Sequence, residues 1–229
     1  MIITALFVAH SPWLVAQTAP AGNPVEASSQ PKADEDQRMF KVVPNFKTVN
    51  DASNLAPIGA KEKFKLVGHY FDPFTFGYLT LLAGIEQETN VKAGYGQGMK
   101  GYAKRYGADL ADGFTNELFV TGVFPSLLHH DPRYIRMGEG SAWTRTGYAL
   151  SRIVITRTDA GGHFFNVSEF AGNIASGAIS TAYYPKDERD VGGIFTRMTT
   201  QIAYDSLFNV LKEFYPDISK KLLKKHHTN

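Results

Sequence analysis

Met99, Tyr102, Tyr106, Leu110, Phe114 and Leu118 follow one another at steps of three and four residues, which predicts an apolar stripe along a helix from Gly98 to Phe124. On the same helix Arg105, Asp109 and Asp112 form a polar stripe. Ala103, Gly107 and Ala111 form a third, with side chains small enough to let another backbone approach closely. The helical period returns over roughly 141–157, 167–183 and 188–214. In the last of these, Val191, Ile194, Phe195, Met198, Ile202, Leu207, Leu211 and Phe214 predict a core face, and Pro216 is expected to end the helix. Upstream, 60–71 reads as a short helix stopped by Asp72 and Pro73. The same pair restarts the chain into PFTFGYLTLLAGIEQET, because Asp caps free amides and Pro suits a first helical turn. Between Phe40 and Pro57 only a short extended piece is expected, since Pro44 and the turn formers Asn50, Asp51, Ser53 and Asn54 interrupt any longer element. No internal repeat recurs at a fixed period. The pattern predicts a mainly α fold, a single compact multi-helix bundle with long helices occupying 40–229.

The first residues follow another logic. Ile2–Val8 and Trp13–Ala16 are apolar, and Ala19 and Ala21 supply the small-x-small pattern of a signal-peptidase site, so 1–21 is expected to be a cleavable signal segment. No Lys or Arg precedes the apolar run, a departure from the usual signal pattern. Residues 22–39 are rich in Pro, Ala, Ser and charge and read as a flexible linker. The most apolar later stretch, HFFNVSEFAGNIASGAISTAYYP, carries Asn166, Glu169 and Asn173, whose burial in lipid is costly; it reads as the central helix of a bundle. Its small residues, Ala171 and Ala175 on one row and Gly172, Ser176 and Ser180 on another, favour close packing. The cluster Phe71, Phe74, Phe76, Tyr78 and Leu79, four aromatics and a leucine, and the basic tail DISKKLLKKHH allow contact with a membrane surface.

Composition narrows the chemistry. The 24 basic and 22 acidic residues nearly cancel, which gives no argument for nucleic acid, and the lack of cysteine excludes disulfides, thiolate metal sites and cysteine nucleophiles. The motif HHDPRY offers His129, His130, Asp131 and Arg133 as weak catalytic candidates. Adjacent histidines on a helix diverge by roughly 100° and cannot easily share a metal ion. Asp131-Pro132 repeats the Asp72-Pro73 device, so the expected role is a corner where one helix stops and the next begins; a catalytic role would need a carboxylate such as Glu117, Glu169 or Asp205 beside a histidine. Glu169 with Asn173, and Asp205 with Asn209, interrupt apolar helix faces and predict an interhelical polar network, with Arg145 and Arg152 as its expected cationic partners. This network (Arg145, Arg152, Glu169, Asn173, Asp205) is the candidate binding set. GYGQG at 94–98 lacks a preceding strand and a following Lys-Ser/Thr pair, so no phosphate cradle is expected; H-E-x-x-H and Gly-x-Ser-x-Gly are absent. No metal or cofactor is expected.

HHDPRYIRMGEG, RTGYALSRIVITRTDAGG, the NVSE helix start, AYYP at 182–185 and EFYPDI at 213–218 together resemble a group of exported proteins found in acidobacteria, a family without an established activity. The similarity runs from about Phe40 to the end of the chain. It implies a helical protein of the cell envelope, periplasmic or associated with the outer membrane, and carries over no catalytic residue or cofactor. The expected function is therefore non-enzymatic: helix packing, self-association into a homo-oligomer, or contact with a membrane surface. The alternative is a periplasmic small-ligand-binding protein or hydrolase that uses His129, His130, Asp131 and Arg133.

Overall fold

The computed structural model describes residues 38–50 and 55–226, and these belong to one compact unit. The expected signal segment and almost all of the expected linker lie outside the described residues. The last two linker positions do not: Arg38–Met39 form strand β1, Met39 is buried, and the Arg38 guanidinium pairs with Asp72.

The fold is mainly α, as the periodicity predicts. The helices are α1 (Ala60–Gly68), α2 (Pro73–Glu88), α3 (Gly98–Glu117), α4 (Phe124–Leu128), α5 (Ala142–Val154), α6 (Val167–Ser180) and α7 (Val191–His226). A π-helical stretch, Leu118–Val123, joins α3 to α4 without a break. Helix α3 packs between α2 and α6, α6 packs on α7, and α7 packs on α5. Tyr78 of α2 reaches Tyr204 of α7, so α2, α3, α6 and α7 close a ring around a central space. The remaining strands are short: β2 (Val43–Pro44) pairs with β1, β3 (Thr48–Val49) runs parallel to β5 (Tyr134–Ile135), and β4 (His130–Asp131), β6 (Ile155–Thr158) and β7 (His163–Phe165) form a three-stranded antiparallel sheet.

Local chemistry explains most boundaries. Asp72 accepts from the Phe74 amide at 2.9 Å with Pro73 in the first turn, so that restart works as predicted. Ser141 caps α5 through the Thr144 amide, and Asn166 caps α6 through the Glu169 amide. Three expectations need correction. The helix expected over 141–157 stops at Val154, because ITRT is β-branched and alternating and pairs with HFF across a tight turn at Gly161, whose φ is +89°. Asp131-Pro132 does not start a helix: the Asp131 carboxylate folds back on Arg133, taking its amide at 3.0 Å and its guanidinium at 2.7 Å, and the chain continues as a strand. Pro216 does not end α7, which runs on to His226. The turn around this proline is held from outside, with Arg136 Nε and Arg145 Nη2 donating to the Glu213 carbonyl at 2.7 and 2.6 Å.

Small residues set a close approach, though not where the α3 stripe suggests. A Cβ added at Gly172 would lie 2.6 Å from Val120 Cγ2, so α6 meets the π segment almost backbone to backbone. Gly107 has nothing within 4 Å of its missing Cβ, and the Ala103, Gly107, Ala111 face lines a shallow groove with Tyr183, Pro185 and Lys186 instead of receiving a helix.

The burial pattern is inverted. Among the described residues, the largest side chains with almost no exposure are Arg105, Lys63 and Glu213, and Asp109, Asp131, Glu169, Asn173, Ser176 and Ser180 are buried with them. The buried apolar core among the described residues is thin, with Met39, Val67, Leu79, Ile153, Tyr134, Tyr184 and three alanines, Ala83, Ala108 and Ala149. The large apolar side chains face outward: Leu81 is 70% exposed, Trp143 87%, Val191 68% and Leu207 56%. The expected core face of α7 is thus largely external at Val191, Phe195, Leu207 and Leu211. The three largest buried charges are satisfied, Lys63 by Asp159, Glu213 by Arg145 and Arg105 by Gln87 and loop carbonyls, as buried charges must be; the exposed large apolar side chains are the feature that calls for an explanation.

Candidate functional site

The space inside the four-helix ring is a cavity of about 790 Å³. Its wall on α3 is the stripe Asp109, Asp112 and Asn116, which fall on one face because they recur at three and four, with Glu117 beside it. Helix α6 contributes Glu169, Asn173, Ser176 and Ser180, and α7 contributes Arg197, Gln201, Asp205 and Lys212. Lys47 enters from the loop between β2 and β3.

One end is an acid–base cluster. Lys47 Nζ donates to Glu117 Oε2 at 2.8 Å and to Thr121 Oγ1, on the π segment, at 3.2 Å. Burial works against its charge, but Glu117 outweighs that cost and holds the Lys47 pKa above its ordinary value. Asn116 donates to Asn173 Oδ1 at 2.8 Å, and Asn173 donates to Glu169 Oε1 at 3.0 Å. Glu169 meets Asp205, which also accepts from Gln201 at 3.1 Å. Burial pushes the Glu169 carboxyl up to about 8, and the nearby Asp205 charge pushes the same way; burial raises Asp205 too. The two carboxyls therefore hold a proton between them at neutral pH. Lys212 faces this cluster without a hydrogen bond or ion pair among the described residues, and burial, then the Lys47 charge, lower its pKa to about 8.

The other end is an ion-pair and tyrosine cluster. Lys92 bridges Glu86, at 2.8 Å, and Asp109. Burial raises Asp109 to about 6 against the pull of Lys92, and its Oδ2 has no hydrogen-bond partner. Asp112 accepts from Ser180 and Tyr183, both at 2.5 Å, and from Tyr184. The Arg197 guanidinium lies 4.5 Å from the centre of the Tyr184 ring.

Of the residues singled out from sequence, Glu169, Asn173 and Asp205 come together as one network, and Asn209 lines the same space. Their expected cationic partners do not join them as foreseen. Arg145 pairs with Glu213 at 2.8 Å and with Asp217 at 2.6 Å, and stacks on Phe214; Arg152 lies over Tyr148 at the cavity margin. The cations that do reach the acid pair are Lys47 and Lys212. Glu117, expected only as a possible partner of a histidine, pairs with Lys47 instead; Lys212 and Glu213 were missed because on a helical pattern each reads as a solvated charge, and Lys47 because it sits in a loop. The one available signal was that Lys212 and Asp205 are seven residues apart, two turns along one face of α7.

The two histidines separate. His129 ends α4 in the left-handed region (φ +56°) with its side chain 84% exposed, whereas His130 is buried and its Nδ1 hydrogen-bonds Ser168 Oγ at 2.8 Å. Burial, then the charge of Lys63, lowers the His130 pKa. The acid near this corner is Asp159, 3.8 Å from His129 and 2.7 Å from Lys63, and not Glu117, Glu169 or Asp205. Arg105 holds the chain around GYGQG, donating to the carbonyls of Val91 and Lys92 upstream at 2.7 and 3.3 Å and to that of Gly96 within the motif at 2.7 Å. No group of acids and histidines among the described residues could hold a metal ion. No protein-family model, curated protein or solved structure matches the chain.

Proposed function

We propose that the chain is a non-enzymatic protein of the cell envelope that works in contact with lipid, its outer helix faces against acyl chains and its polar groups turned to the interior. The inverted burial carries this reading. Water drives a soluble domain to fold by hiding apolar surface, and here the apolar core is thin while Leu81, Ile85, Ile174, Ile179, Leu207 and Leu211 remain outside. In an apolar medium, folding rests on hydrogen bonds, ion pairs and close backbone packing, which is what the Asp112, Glu169 and Glu213 networks and the Gly172 contact provide. The outward apolar residues lie on all seven helices and the β6–β7 hairpin. That spread suits a surrounding solvent better than one self-complementary patch for a second copy.

No helix among the described residues is long and apolar enough to cross a membrane. Helices α2 and α6, at 16 and 14 residues, are shorter than the roughly 20 residues a span requires, so partial insertion at the interface fits better than passage through the bilayer. The resemblance to exported acidobacterial proteins and the basic tail support an envelope setting.

Flotation tests the reading. Mixed with phosphatidylethanolamine/phosphatidylglycerol vesicles, the full chain should float with the lipid and stay there in about 1 M salt, where surface electrostatics are screened. Release by salt would reduce the contact to the basic tail. A protein that is monodisperse in plain buffer and never floats would overturn the proposal.

A further inference from the structure

We propose that Lys212 is a covalent anchor for a carbonyl compound: an aldehyde or ketone with an aliphatic or aromatic body enters the cavity and forms a reversible imine with the lysine amine. This goes beyond the lipid-contact reading and stands on separate observations.

Lys212 projects from α7 into the cavity with three donors and no hydrogen-bond acceptor or ion-pair partner among the described residues. The groups around it come from each neighbouring element: Lys47 from the β2–β3 loop, Glu117 from α3, Glu169 from α6 and Asp205 from its own helix. A lysine becomes a nucleophile when desolvation or a second cation favours its neutral form, and both conditions meet here. With its pKa lowered to about 8, it presents roughly two orders of magnitude more neutral amine at pH 7 than an ordinary lysine near 10.4. Besides its two polar clusters, the cavity lining includes the apolar side chains Phe74, Leu79, Leu82, Ile153 and Phe208, and about 790 Å³ suits a ligand of moderate size.

Charge decides between ligand classes. An anion at Lys212 would add negative charge among Glu117, Glu169 and Asp205, whereas a neutral carbonyl adds none. The amine lone pair attacks the carbonyl carbon, the C=O π pair moves to oxygen, and that oxygen takes the proton shared by Glu169 and Asp205. The carbinolamine then loses its hydroxyl as water, taking up the proton released from nitrogen, and the nitrogen lone pair closes the C=N bond. The acid pair regains its proton when the imine is left neutral; a protonated imine instead places one cation where the lysine ammonium stood, facing the same carboxylates. Overall, aldehyde plus ammonium gives iminium plus water, with no oxidant or reductant involved.

Octanal with cyanoborohydride, applied to the full chain at pH 7, tests this, with intact mass and peptide mapping as the readout. The expected result is one octyl group on Lys212, formed at least tenfold faster than on exposed lysines such as Lys104, with a rate that rises toward a plateau above pH 8. Lys212→Arg should abolish the fast adduct while helicity and vesicle flotation stay unchanged, which separates this proposal from the lipid reading. Labelling spread over lysines in proportion to exposure, a fast site elsewhere, or a fast adduct surviving in K212R would overturn it.

Discussion

Glu213 accepts from Arg145 at 2.8 Å, Tyr134 at 2.8 Å, and the amides of Met137 and Gly138 at 3.0 and 2.9 Å, with no exposure of its own. Glu213→Ala leaves those donors facing a void, and removing one partner of a buried pair costs about 3–5 kcal/mol; denaturant unfolding should show a loss in that range. Burial alone would raise the Glu213 pKa, but Arg145, Gly138 and Tyr134 together hold it below its ordinary value. Its contribution is therefore complete above the unfolded carboxylate value of about 4.3 and fades as pH falls through the lower native value. Glu169 has the opposite sign. Between about 4.3 and its native value of about 8, the folded protein keeps a proton that the unfolded chain has lost, so stability falls as pH rises across that window and levels off above it. Glu169→Gln should flatten this slope and raise the denaturation midpoint at pH 8 relative to pH 5; an unchanged slope would assign the titration to another group.

Two glycines of similar appearance in sequence make opposite predictions at the scale of the element. Gly172→Ala drives a methyl to 2.6 Å from Val120 Cγ2 and 3.0 Å from the Val120 amide, so the α6 contact must open, at about 1–3 kcal/mol. Gly107→Ala meets nothing within 4 Å in a helix interior and should stabilise by roughly 0.5–1 kcal/mol. Thermal unfolding of the pair would show shifts of opposite sign. The contrast also marks how far the sequence could be read. Helix existence and most starts were legible, because caps and apolar spacing are local: Asp72-Pro73 and the 98–124 run both form as expected. Asp131-Pro132 carries the same local signal, yet a side chain two residues away, Arg133, captures the carboxylate and a strand forms. Pro216 was misread because the groups that hold its turn, Arg136 and Arg145, lie more than seventy residues away in sequence. In the site, Glu169, Asn173 and Asp205 were legible as polar breaks in apolar faces. Which cations would face them depended on how the helices close the ring, and helical periodicity does not encode that.

For the whole molecule, the sign of the apolar faces was the quantity that periodicity could not supply. A stripe of Leu, Ile and Phe predicts that one side of a helix leaves water; it does not say whether the partner is protein or lipid. Replacing Leu81, Ile85, Leu207 and Leu211 together by Gln should lower vesicle flotation several-fold with no loss of helicity, since all four are exposed. Loss of helicity instead would make those residues internal contacts.

The proposed lipid contact also reverses the usual rule for which positions tolerate change. Saturation mutagenesis of a water-soluble bundle finds freedom among surface charges and intolerance among core aliphatics. Here, swaps among Leu, Ile, Val and Phe at positions such as Leu81 and Leu207 should pass almost freely, while Asp112 and Glu213, each tied to three or more partners, and Glu169, tied to Asn173 and Asp205, should tolerate few replacements.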